Sequence, residues 1–134
     1  MIGIDTNILI RLLTNDDKAQ ARYAAKLIER NAIFISKSVL LETEWVLRYT
    51  YEFSSDVIYK AFEKLLGLPR ITVEDPACII KIMQWYNQGV DFADAMHLAS
   101  SIQVTDKFAT LDKTLIKCAK KMNIHLVTQG RMAF

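Results

Sequence analysis

Short apolar runs rich in β-branched residues, Ile2-Gly3-Ile4, Ile33-Phe34-Ile35 and Ile71-Thr72-Val73, recur along the chain with helix-length segments between them. That alternation constrains the fold more than any other feature. Strands alternating with helices imply a parallel sheet covered by helices on both faces. Parallel neighbours also need crossover connections of about a dozen residues or more, and the intervening segments are long enough to supply them.

Those segments carry helix punctuation. Residues 16–30 place Ala21, Ala24, Ala25 and Ile28 on one face, with Asp16 or Asp17 at the start. Ser38 can cap a helix running to about Thr50, and Ser54 or Ser55 can cap another ending near Gly67-Leu68-Pro69. Pro76 opens a helix over residues 77–88 that Gly89 closes, and Asp91 heads one from Phe92 to about Val104. A brief strand at 107–109, a helix from Asp112 to Met122 and a last strand at 124–127 complete the series. The expected architecture is α/β, a central parallel sheet of four to five short strands flanked by helices, in one domain over residues 1–134.

Composition agrees with a globular domain: 51% hydrophobic and 24% charged residues, with only four Gly and two Pro. No apolar run approaches the roughly 18 residues needed to span a bilayer, and the first residues lack the order of a signal peptide. No membrane association is expected, and a cytoplasmic location follows as the default. Cys78 and Cys118 have no CxxC partner, so they read as reduced thiols rather than zinc ligands or a disulfide.

In an α/β sheet, functional side chains collect at the carboxyl ends of strands. Asp5 ends the first strand just before the apolar helical run Ile8 to Leu13, where it can serve as a cap or as a ligand. Glu42 lies three or four positions from Val39, Trp45 and Val46, so its carboxylate is expected on an apolar face, where it needs a partner. Glu44 precedes Arg48 by four residues and is expected to pair with it on the surface. In Asp91-Phe92-Ala93-Asp94-Ala95, Asp91 suits a cap, while Asp94 suits a ligand on a helix whose small residues permit close approach. Asp112 again falls between a strand and a helix. Carboxylates gathered in a dry pocket repel, so a cluster of them implies protonation or a bound cation. An all-oxygen site suits Mg²⁺ or Mn²⁺. His97 reads as a surface or packing residue, and neither His125 nor Ser100 and Ser101 belongs to a nucleophilic triad.

With these residues in place the chain resembles the PIN-domain ribonucleases, in particular the VapC-type toxins of toxin–antitoxin pairs. The resemblance rests on Ile4-Asp5-Thr6-Asn7-Ile8-Leu9, Ser38-Val39-Leu40-Leu41-Glu42, Asp91-Phe92-Ala93-Asp94-Ala95 and Thr110-Leu111-Asp112, in that order across nearly the whole chain. It implies a PIN-like three-layer sandwich with Asp5, Glu42, Asp94 and Asp112 as the catalytic, metal-binding cluster. Thr6 and Asn7 would stand beside it, Asp91 would support it, and Thr110 would help to orient water. The implied activity is Mg²⁺- or Mn²⁺-dependent cleavage of RNA, with a small antitoxin protein blocking the cleft and the toxin itself a homodimer. Apolar residues around Glu42 in excess of one buried stripe, Leu40, Leu41, Trp45, Leu47, Tyr49 and Tyr51, fit an interface.

Basic stripes offer a track for RNA. Lys18, Arg22, Lys26 and Arg30 repeat every four residues, while Lys113, Lys117, Lys120 and Lys121 begin beside Asp112 and suit phosphate contacts better. Two other readings compete. A Mg²⁺-binding phosphoacceptor receiver module would want an acidic pair after the first strand, where only Asp5 stands, and a DxD phosphatase would want Asp in place of Asn7. A non-catalytic PIN-like scaffold that binds RNA or protein would have no physical need of four mutually repelling acids.

Overall fold

A computed structural model describes residues 1–127. The chain forms two compact units, Met1–Ile79 and a second beginning at Ile80. The division falls inside one helix, α5 (Pro76–Asn87).

The first unit runs β1 (Ile2–Gly3), α1 (Thr6–Thr14), α2 (Lys18–Arg30), β2 (Ile33–Ile35), α3 (Lys37–Tyr49), α4 (Ser55–Leu66) and β3 (Ile71–Val73). Its strands form one sheet in the order β1-β2-β3, all parallel, with Ile2 opposite Ile33 and Ile33 opposite Ile71. Each crossover is a pair of helices, as parallel pairing requires. Ile33 and Ile35 are wholly buried, together with Leu9, Leu40, Leu47, Ile58 and Phe62. Each such side chain contributes about 1.5–3 kcal/mol on leaving water, which makes this apolar set the main source of the unit's stability.

The second unit contains α6 (Phe92–Ser101), β4 (Phe108–Ala109), α7 (Lys113–Lys121) and β5 (Leu126–Val127). β4 and β5 pair in parallel with Phe108 opposite Leu126, and α7 forms the crossover between them. Phe92, Ala95, Leu98, Ala99 and Ala119 are buried, and the Tyr86 ring meets Phe92 edge-on at 5.1 Å. The small alanines of α6 thus serve packing, as their spacing suggested. Five short parallel strands are present among the described residues, but where one central sheet of four to five was expected they pair as three in one sheet and two in another.

Local signals account for most boundaries. Asp17 caps α2, Ser54 caps α4, and Gly89, at φ +97°, follows α5 in a conformation that other residues adopt only with strain. One cap differs from expectation. Ser36, not Ser38, caps α3 by accepting from the Val39 backbone N–H at 3.3 Å, because the chain leaves β2 at Ile35 with no residue to spare before the helix. Among the described residues no helix is long and apolar enough to cross a membrane.

Candidate active site

In the first unit the acids stand where strands hand over to helices. Asp5 has extended backbone after β1 and caps α1, its Oδ1 accepting from the Ile8 N–H at 3.2 Å. Oδ2 takes no part in that cap, so capping and ligation are compatible in one carboxylate. Thr6 follows as the first residue of α1, and its buried hydroxyl donates to Glu42 Oε1 across 36 positions of sequence. Glu42 is thereby tied to the residue next to Asp5, which makes Asp5, Thr6 and Glu42 one local group. Asn7 is exposed and lines, with Asp5, Ile8 and Arg11, an open cleft of about 940 Å³ beside β1.

The environment of α3 differs from the expected one. Glu42 is exposed, whereas Glu44 is 1% exposed and pairs with Arg48, whose Nε lies 3.0 Å from Oε2. The pairing is as expected, but its position in the interior is a correction. The buried stripe of α3 is Leu40, Thr43, Glu44 and Leu47, a spacing of three and four that was available in the sequence. Leu40 and Leu47 are therefore core residues. Of the apolar set expected at an interface, only Trp45 and Tyr49 are exposed.

In the second unit Asp91 caps α6, its Oδ2 accepting from the Asp94 N–H at 3.2 Å. Asp94 sits in the first turn, half-buried. Burial pushes its carboxyl above the usual aspartate range, and the nearby negative charges of Asp91 and Asp112 push it the same way, with His97 opposing. Asp112 caps α7 by accepting from Thr114 and Leu115 N–H groups at 2.9 and 3.1 Å, and its own N–H donates to Thr110 Oγ1 at 3.1 Å. Thr110 thus shapes the turn that carries Asp112. Lys113, Lys117 and Lys120 are all exposed on α7, as are Lys18, Arg22, Lys26 and Arg30 on α2.

The donors in both units are carboxylate and hydroxyl oxygens, the hard ligands that Mg²⁺ and Mn²⁺ prefer. The upward push on Asp94 comes first from burial and then from the charges of Asp91 and Asp112, and a cation would relieve the second part. Among the described residues, no three His, Cys, Asp or Glu side chains come together as a metal cage.

The family model described as PIN domain matches residues 2–121. Among solved structures, the chain is similar to VapC20 of Mycobacterium tuberculosis, described as a sarcin–ricin loop cleaving toxin, at a TM-score of 0.45 and 19% identity over 87% of this chain and 94% of that one. No curated protein sequence matches the chain.

Proposed function

The chain belongs to the PIN-domain family, and from that premise we propose that it is a divalent-metal-dependent endoribonuclease, the toxin of a toxin–antitoxin pair. The observation that supports the reading is the placement of acids at helix starts, with Asp5, Asp91 and Asp112 each capping a helix and Asp94 in the first turn of α6, in a chain that the PIN family model matches over residues 2–121. Carboxylate oxygens at such positions suit a hard divalent cation.

The proposed ligand set is Asp5, Glu42, Asp94 and Asp112. When bound there, Mg²⁺ or Mn²⁺ supplies a water of lowered pKa and offsets charge building on the phosphodiester. The remaining tasks fall to the protein's own groups. Thr6 fixes Glu42 by donating to Oε1, Asp91 holds the first turn of α6 and so sets the direction of Asp94, and Thr110 braces the turn before Asp112. Lys113, Lys117 and Lys120 present positive charge to the RNA backbone. A protein partner that places an arginine among the acids would silence the site, which is the role proposed for a small antitoxin. The homodimer and a cytoplasmic setting belong to the same proposal.

Incubation of purified protein with total RNA in Mg²⁺, Mn²⁺ or chelator tests the reading. Cleavage that chelator stops is the expected result. Intact RNA under every condition, with the protein still binding it, would make the chain a PIN-like scaffold instead.

A further inference from the structure

Helix α3 carries an exposed stripe of unusual composition. Ser38, Glu42, Trp45 and Tyr49 are all exposed, and at 3.6 residues per turn they fall within roughly 60° of one another around the helix. Trp45 and Tyr49 keep 56% and 58% of their surface in solvent. Their ring centroids are 5.2 Å apart with planes at 48°, and the Arg48 guanidinium carbon lies 4.8 Å from the centre of the Tyr49 ring. A solvated helix face ordinarily carries charged and polar side chains, so two neighbouring rings there invite an occupant.

Area and position decide which occupant. An aromatic side chain buries about 150–250 Å² when fully enclosed, and with a little over half of each still in solvent the pair offers roughly 170–290 Å². A stable protein interface needs about 800 Å² from each partner. The aliphatic neighbours cannot make up the difference, because Leu40 and Leu47 are buried and Leu41 and Val46 are half-buried. The patch is too small for a protein partner but the right size for nucleobases, which stack on aromatic faces one at a time. It is also continuous with the acids. Trp45 stands about 4.5 Å and Tyr49 about 10.5 Å along the helix axis from Glu42 at 1.5 Å per residue, and Glu42 is tied to Thr6 beside Asp5.

We infer that Trp45 and Tyr49 form a ledge on which unpaired bases of single-stranded RNA stack, next to the acidic residues. The inference rests on the nuclease reading above and deepens it by naming the residues that would hold the substrate's unpaired bases. Bases in a duplex already stack on one another and offer no free face, so the ledge selects single strands, loops and ends.

The chain has two tryptophans, and Trp85 is only 8% exposed, which leaves Trp45 as the exposed fluorescent reporter. The full-length protein is titrated in chelator with single-stranded oligo(A) or oligo(U) and with a duplex of equal length, and its mass is followed by light scattering. Saturable quenching by the single strands but not by the duplex is expected. Trp45→Ala and Tyr49→Ala should each weaken single-strand binding by about tenfold, with far-ultraviolet circular dichroism unchanged. Binding that leaves the fluorescence undisturbed and is equally tight in both variants overturns the ledge, as does equal quenching by duplex. A Trp45→Ala variant that splits a wild-type dimer while binding RNA normally reassigns the rings to self-association. The two readings fail separately. Wild-type cleavage with silent tryptophans refutes only the ledge, quenching without cleavage in any metal supports the ledge and refutes the nuclease, and no RNA binding at all refutes both.

Discussion

Replacing the two members of the Glu44–Arg48 pair should have unequal costs, and the structure sets the order. The Arg48 guanidinium approaches Glu44 through two contacts, Nε to Oε2 at 3.0 Å and Nη2 to Oε1 at 3.3 Å. The carboxylate side chain is 1% exposed and the arginine side chain 28%. Removing one partner of a buried pair costs about 3–5 kcal/mol, chiefly because the other charge is left without compensation. After Glu44→Gln the orphaned charge is the partly hydrated guanidinium, so the cost should sit below that range, at about 2–3 kcal/mol. After Arg48→Met the orphan is a carboxylate almost shut off from water, and the cost should reach the full 3–5 kcal/mol. For a chain of this size 1 kcal/mol moves the melting temperature by roughly 3–5 °C. Calorimetry should then find a drop of about 10 °C for the first variant and about 15 °C for the second. RNA cleavage per folded molecule at 25 °C should be near normal in Glu44→Gln. A melting temperature within about 2 °C of wild type, or a larger loss from Glu44→Gln than from Arg48→Met, would refute the reasoning.

Asp94→Asn links the site to pH. Because burial and the Asp91 and Asp112 charges raise its folded pKa, Asp94 contributes stability that is full below its unfolded pKa and is lost as pH rises through the raised value. The metal-free Asn variant should therefore gain on wild type across the acid range and melt at least as high at neutral pH, while Mn²⁺ should raise the melting temperature of wild type only. The reverse order at neutral pH in chelator would show that Asp94 is not under like-charge stress. Asp91→Ala should cost about 1 kcal/mol as a lost cap and reduce cleavage only in part, checked by urea unfolding and initial rates. Thr6→Val removes the donor to Glu42, so cleavage should fall while stability changes by no more than about 1.5 kcal/mol. Unchanged rates in that variant would deny the Thr6–Glu42 tie a part in function.

Much of the fold was legible because its signals are local. The short runs Ile33–Ile35 and Ile71–Val73 became strands at the expected residues, and Asp17, Ser54, Asp91 and Asp112 all cap helices, since a short polar side chain before an apolar run satisfies otherwise orphaned N–H groups. The face of α3 was less legible. Val39, Trp45 and Val46 made the Glu42 side look apolar, yet the helix buries Leu40, Thr43, Glu44 and Leu47 instead. Pattern alone could not choose between two apolar arcs when a glutamate lay on each. The buried pair with Arg48 decides the matter, and Coulomb compensation between side chains four apart is invisible to a hydrophobic period. The Thr6–Glu42 hydrogen bond spans 36 positions, so it depends on how α1 and α3 leave neighbouring parallel strands and on no local motif.

The most direct test measures cleavage of single-stranded RNA in Mn²⁺ by wild type and by Asp5→Asn, Glu42→Gln, Asp94→Asn and Asp112→Asn, with the melting temperature of each recorded alongside. Each swap keeps volume and removes one charge that would hold a hard cation. The four carboxylates acting as one site require chelator-sensitive cleavage by wild type and its near abolition in all four folded variants. Full activity in folded Asp5→Asn and Asp94→Asn, or a dead Glu44→Gln beside an active Glu42→Gln, would place the chemistry elsewhere.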